Sequence, residues 1–115
     1  MDARQAGWFL RAFGDGTRLR ILAALSEGAL SVGELCRALR RPPSSISRHL
    51  AYLRERGLVE SQNVRNSVVY HPVSPADPFE KRMLATLIRG LGSINEVPAD
   101  RKRLRRSSEQ PPPSS

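Results

Sequence analysis

The stretch "SVGELCRALRRPPSSISRHLAYLRERGLVE", residues 31–60, constrains the fold more than any other part of the chain. Val32, Leu35 and Leu39 recur at helical spacing, and so do Ile46, Leu50 and Leu53. Pro42 and Pro43 stand between the two stripes. A residue ahead of proline is driven out of the α region, so the first helix must stop before them. Proline is accepted in the first turn of a helix, so the second helix begins at once. Two short amphipathic helices with so little chain between them must meet through a tight turn.

The flanking segments extend this into a defined order of elements. "DARQAGWFLRAFGD" predicts a leading helix carrying Trp8, Phe9, Ala12 and Phe13, stopped at Gly14. Asp15 is placed to cap a second helix whose Leu19, Leu22 and Leu25 form a stripe ending at Gly28. Ser31 and Glu34 have capping-box spacing at the start of the third. The fourth runs from Pro43 to Gly57, and "LVESQNVRNSVVYHPV" then predicts a β-hairpin with its tip at Arg65-Asn66. "DPFEKRMLATLIRGLG" predicts a closing helix capped near Asp77. The fold class expected is mainly α with a small hairpin wing, a winged helix-turn-helix of order α-α-α-α-β-β-α.

Subtracting the buried stripe from the helix after Pro43 leaves Ser44, Ser45, Ser47, Arg48, Ala51 and Tyr52 pointing outward. A helix-turn-helix offers the first turns of its second helix to base edges in the major groove. Hydroxyls approach closely and both donate and accept; arginine grips guanine through two bonds. A merely solvated helix face is normally built from Glu and Lys, stronger helix formers than serine. Arg40 and Arg41 lie just ahead of the helix, positioned for phosphates. His49 sits either at the core edge or on a phosphate, and Arg65 at the hairpin tip is either placed for backbone or minor groove or is part of a plain solvated turn. Duplex DNA is therefore the expected partner.

Charge agrees with this. Lys+Arg number 19 against 11 Asp+Glu, a formal +8, and 17 of the 19 are arginine. Planar guanidinium groups suit phosphate and base recognition, though an arginine-rich surface alone would give the same count. From Pro98 onward the chain is basic and then rich in Ser, Gln and Pro, with five basic residues among positions 101–106. So few apolar groups predict a disordered tail over 98–115, behind a folded domain of 1–97, adding sequence-blind phosphate contacts or serving only as a solubilising end.

The closing helix presents Phe79, Met83, Leu84, Leu87, Ile88 and Leu91, and the leading helix Trp8, Phe9 and Phe13. That apolar surface exceeds what one small domain covers, which predicts a homodimer through the first and last helices; the alternative is that the two terminal helices pack on each other in a monomer. One cysteine, Cys36, makes no internal disulfide and fits a cytoplasmic location. Arg37 beside it would favour a thiolate, so Cys36 is either a redox trigger or a small core residue. No apolar run is long enough to span a membrane and no secretion signal precedes the first helix. A glycine-rich phosphate loop, a Glu-His metal motif and a catalytic Ser-His-Asp pattern are all missing, which argues against an enzyme.

"FGDGTRLRILAAL", "SVGELCRAL", "SSISRHLAYLRERGLVE" and "VVYHPV" together resemble the ArsR/SmtB family of bacterial winged-helix repressors, across roughly residues 8–92. The resemblance implies a homodimer on a two-fold symmetric operator, with repression lifted by a ligand, here an unknown small-molecule effector. It also exposes departures. The family's metalloid sensors place two cysteines around a valine where this chain has Ser31 and Gly33 flanking Val32. Residues 76–92 hold no histidine, with Asp77 and Glu80 as the carboxylates, so neither metal site of the family can be assembled and no metal or cofactor is expected. Pro43 stands where relatives often carry an adenine-binding glutamine, leaving base reading to Ser44, Ser47 and Arg48. Non-specific DNA coating and protein–protein contact are the competing uses of such a fold.

Overall fold

Helix boundaries follow local chemistry closely. The computed structural model describes residues 1–109. Helix α1 (Ala3–Leu10) opens on a capping box between Asp2 and Gln5 and runs into a 3-10 turn, Arg11–Phe13. Helix α2 (Gly16–Leu25) is capped by Asp15, whose carboxylate accepts from Arg18 N–H at 3.0 Å. Helix α3 (Val32–Leu39) has the expected Ser31–Glu34 box with both reciprocal bonds in place. Helix α4 (Pro43–Glu55) starts on the predicted proline, and Gly57 ends its final turn at φ 70°. Helix α5 (Pro78–Gly90) takes two N–H bonds on the Asp77 carboxylate.

The wing is strands β2 (Val59–Val64) and β3 (Ser67–Pro72), paired antiparallel with Val64 opposite Ser67. Arg65 and Asn66 at its tip both have positive φ, 51° and 66°, the left-handed pair whose twist matches that of the flanking strands. A third strand that the sequence does not announce, β1 (Leu30–Ser31), pairs with β3 and gives the sheet order β1-β3-β2. Its two residues are too few to show a period, and Ser31 already serves as the α3 cap.

The core lies among α2, α3 and α4. Ile21, Leu25, Leu35, Leu39, Ile46, Leu50 and Leu53 are all buried there, closed below by Leu58 and Val59. From α1 and its turn come Phe9 and Ala12, both fully buried, with Phe13 meeting Phe9 edge-on at 5.2 Å between ring centres. Leu84 of α5 and Leu91 complete the core within this one chain. Among the described residues no helix is long and apolar enough to cross a membrane.

The expectation of a disordered basic tail from Pro98 is corrected over most of its length. Residues Val97–Glu109 form a helix, α6, and it packs on α2 and α3. Asp100 is buried, and its carboxylate takes Arg20 Nε and Nη2, each at 2.8 Å, and Arg103 Nη2, also at 2.8 Å. Arg103 donates to the Ala38 carbonyl, while Arg101 donates to the Ala23 carbonyl and the Ser26 hydroxyl. The helix thus orders through ion pairs and capped carbonyls, with Val97 buried and Leu104 half-buried as its apolar anchors. The remainder of the predicted tail, 110–115, lies outside the described residues.

Candidate nucleic-acid interface

The turn between α3 and α4 aims the candidate reading helix. Arg40 caps α3 in the left-handed conformation at φ 55°, and the N–H groups of Arg40 and Arg41 both reach the Cys36 carbonyl. A β-carbon at positive φ costs roughly 1–2 kcal/mol, which is why glycine normally fills this role. The arrangement is held from beneath: Arg20 Nη2 donates to the Leu39 carbonyl at 2.8 Å while its other bonds go to Asp100. This hydrogen bond to Asp100 makes the Arg20 proton harder to remove than an ordinary guanidinium proton, outweighing the opposing effect of burial. A buried cation therefore fixes the corner from which α4 departs.

Helix α4 divides cleanly. Ile46, His49, Leu50 and Leu53 face the core. Ser44, Ser47, Arg48, Ala51 and Arg54 are exposed, together with Arg40 and Arg41 ahead of them. Ser45 and Tyr52 are half-buried along one flank. Arg65 is exposed at the wing tip. Between helix and wing runs a cleft of about 410 Å³ lined by Ser47, Ala51, Arg54, Glu55 and Tyr70. Arg54 and Tyr70 were not among the sequence candidates. Arg54 follows Ser47 and Ala51 at helical spacing, so its place was legible; Tyr70 depends on strand register.

Two candidates lie off the exposed face of α4. His49 is buried at 8% exposure, because its position three residues after Ile46 and four before Leu53 turns it inward. Its Nδ1 lies 3.4 Å from Arg18 Nη1 and its Nε2 lies 3.8 Å from Asp15 Oδ1. Its ring therefore bridges helices instead of facing solvent. Tyr52 is flanked by two guanidinium groups, Arg18 at 4.0 Å and Arg56 at 3.5 Å from the ring centre.

The buried histidine has a consequence for pH. Desolvation lowers the His49 pKa below its ordinary value, aided by the charges of Arg18 and Arg48 and opposed by Asp15. Burial raises the Asp15 carboxyl, but N–H bonds from Arg18 and Thr17 and the charges of His49 and Arg18 outweigh it, leaving it below the usual range. A histidine whose folded pKa is depressed favours the neutral form, so its stabilisation is complete above the unfolded pKa near 6.5 and is lost as pH falls below that value. Thermal melts between pH 7.5 and pH 5 should show a falling Tm, and His49→Gln should flatten the curve over this window. An unchanged slope in the variant would assign the acid sensitivity to other groups.

The candidate pairing residues divide too. Trp8 and Phe79 are exposed, at 45% and 40%, and Met83 and Leu87 are half-buried. Phe9, Leu84 and Leu91 are each buried within their own chain, and Phe13 is half-buried against Phe9. Cys36 is a free, half-buried thiol packed against the core. Among the described residues no group of three or more His, Cys, Asp or Glu side chains is arranged to hold a metal ion, and the Ser31 hydroxyl is engaged as a helix cap.

Comparison with known proteins agrees with this geometry. A family model described as bacterial regulatory proteins of the arsR family matches residues 15–61, from the α2 cap into β2. The chain is 46% identical over 65 residues to the arsenical resistance operon repressor of Escherichia coli, covering 56% of this chain and 55% of that protein. It is 43% identical over 69 residues to the transcriptional activator HlyU of Vibrio cholerae, covering 60% of this chain and 64% of the relative. The matched stretch thus spans between about half and two thirds of these curated relatives. The solved structure of HlyU superposes with a TM-score of 0.64 at 35% identity, over 77% of this chain and 96% of that one. A homodimeric winged helix-turn-helix DNA-binding domain, Mb0332 from Mycobacterium bovis, superposes with a TM-score of 0.62 at 26% identity, over 78% and 80% of the two chains. With its helix order, its hairpin wing and its exposed serine–arginine helix face, this winged helix-turn-helix chain belongs to the ArsR family of bacterial regulatory proteins.

Proposed function

We propose that the protein is a cytoplasmic transcriptional repressor that binds a two-fold symmetric operator as a homodimer and lays α4 in the major groove. One observation carries this reading: α4 buries one face completely and presents Ser44, Ser47 and Arg48 on the other, in its first turns. Those turns are where a helix-turn-helix meets base edges. Arg40 and Arg41 then supply phosphate contacts at the helix entrance, and Arg65 reaches backbone or minor groove from the wing. Ser45, half-buried on the flank of α4, adds a hydroxyl for a phosphate contact. Pairing brings together the exposed Trp8 and Phe79 and the half-buried Met83 and Leu87, and sets two reading helices about 34–36 Å apart. Repression follows from occupying promoter DNA; the Escherichia coli relative is named as a repressor, the Vibrio cholerae one as an activator.

Duplexes enriched from a random pool by the purified protein provide the test. The selected sequence should be an inverted repeat with half-sites about one helical turn apart, and it should bind roughly 10³-fold or more tightly than unrelated duplex. Affinity should fall steeply with salt, since each neutralised phosphate contributes about 0.9 to the slope of log K against log salt. Equal binding to every duplex would point to DNA coating. No binding with a stable dimer would point to protein contact. A reporter carrying the selected repeat should be silenced by the protein; stimulation would place it with the activator instead.

A further inference from the structure

Trp8, Arg56, Tyr52, Arg18 and His49 form one unbroken stack running from α1 to α4. The Arg56 guanidinium carbon lies 4.6 Å from the Trp8 ring centre and 3.5 Å from that of Tyr52, so it is clasped between the two rings. Tyr52 in turn is clasped between Arg56 and Arg18. Arg56 Nε donates to the Trp8 carbonyl at 3.3 Å, which ties the rung to the α1 backbone. Arg18 donates from Nε to the Ala12 carbonyl at 2.9 Å and from Nη2 to the Arg11 carbonyl at 3.1 Å, and its Nη1 faces His49. Three residues of α4 and its cap, His49, Tyr52 and Arg56, are therefore bound to the α1 region through cations alternating with rings.

The two ends of this stack differ. Its outer end, Trp8, is exposed on the surface where Phe79 is also exposed; its inner end, His49, adjoins Arg48 on the helix proposed to read bases. Attraction between a cation and a ring is weak in water and strengthens when the pair is desolvated. Covering Trp8 with a second subunit thus tightens the outermost rung, and each rung shares a group with the next.

We propose that Arg18, Tyr52 and Arg56 are positioning residues that couple subunit pairing to DNA binding, by transmitting the covering of Trp8 to the placement of α4. This inference rests on the operator-binding reading above, and it reassigns Tyr52 from an outward-facing DNA-binding candidate to a member of the stack. Coupling is reciprocal: if pairing favours DNA binding, a duplex must favour pairing by the same factor. A duplex cut to a single half-site shows this cleanly, because it cannot bridge two subunits.

The experiment measures the dimer dissociation constant by sedimentation, with and without a saturating half-site of the selected operator, for the wild type, Arg56→Met, Tyr52→Leu and Tyr52→Phe. The half-site should tighten wild-type pairing by about tenfold, within the usual range of coupling factors of roughly 5–150. Tyr52→Phe keeps the ring and should preserve the effect. Arg56→Met and Tyr52→Leu should reduce it below about twofold, while melting cooperatively and leaving the salt slope for DNA unchanged. A salt slope lowered by about 0.9 in Arg56→Met would make Arg56 a phosphate contact and overturn the proposal. So would equal coupling in all four proteins, or its loss in Tyr52→Phe. A wild type that binds no duplex at all would instead sink the operator-binding reading itself.

Discussion

Replacing Asp100 by alanine is expected to lower Tm by roughly 12–20 °C, the largest effect of any single substitution away from the apolar core. Asp100 is 1% exposed and accepts three charge-assisted hydrogen bonds, two from Arg20 and one from Arg103. Its removal leaves the Arg20 guanidinium, itself 9% exposed, with the Leu39 carbonyl as its one remaining acceptor among the described bonds. Breaking a buried pair by deleting one member costs about 3–5 kcal/mol, because the desolvated charge stays behind. The same principle states the control: Arg20→Met with Asp100→Leu removes both charges and should recover most of the loss. Melts at a single protomer concentration decide the matter, since pairing also shifts Tm. A shift below about 3 °C would show that water reaches Arg20 and that α6 is not anchored there. DNA affinity should fall in Asp100→Ala beyond what the unfolded fraction explains, because Arg20 also supports the corner at Leu39 and Arg40.

Arg48→Ala is expected to weaken operator binding by between about thirtyfold and twenty-five-thousandfold. Arg48 is exposed in the second turn of α4, beside Ser44 and Ser47. A bidentate arginine–guanine contact contributes about 1–3 kcal/mol of discrimination, and a homodimer on a symmetric operator loses it twice. The sign of the accompanying specificity change separates two roles. An arginine reading a base relaxes preference at one position of each half-site, leaving the others alone. An arginine on phosphate lowers affinity equally for all sequences and reduces the salt slope by about one per subunit. Binding of the variant across a panel of operator point mutants reads this directly. Discrimination matching the wild type at every position would remove Arg48 from base recognition.

His49 shows where periodicity and function part company. Its spacing from Ile46 and Leu53 already placed it near the core edge, but its hydrogen-bonding side chain also suited a phosphate. Only the positions of Asp15 and Arg18, brought in from another helix, give the ring an environment in which to be buried. Phe9, Leu84 and Leu91 show the converse. Their apolar character predicted burial correctly without distinguishing burial against the same chain from burial against a second one. Helical spacing gives a face; which partner covers that face depends on the crossing of helices.

Sequence alone determined the elements whose signals are local: the three caps at Asp15, Ser31 and Asp77, the start of α4 at Pro43, the helix stops at Gly14 and Gly57, the hairpin tip at Arg65-Asn66, and the inward stripe of α4. Each is settled within about four residues by dihedral preference or a side chain bonding its own backbone. Tertiary structure alone decided β1, the stack from Trp8 to His49, and above all α6. The local signs of α6 were present, with Pro98 and Asp100 in its first turn and arginines toward its end, but its composition lacks an apolar stripe. Its order comes from Arg20 meeting the Asp100 carboxylate and from Arg101 and Arg103 reaching the Ala23 and Ala38 carbonyls. Such energies are created when distant segments meet and a charge is taken out of water, and no window of sequence contains both partners.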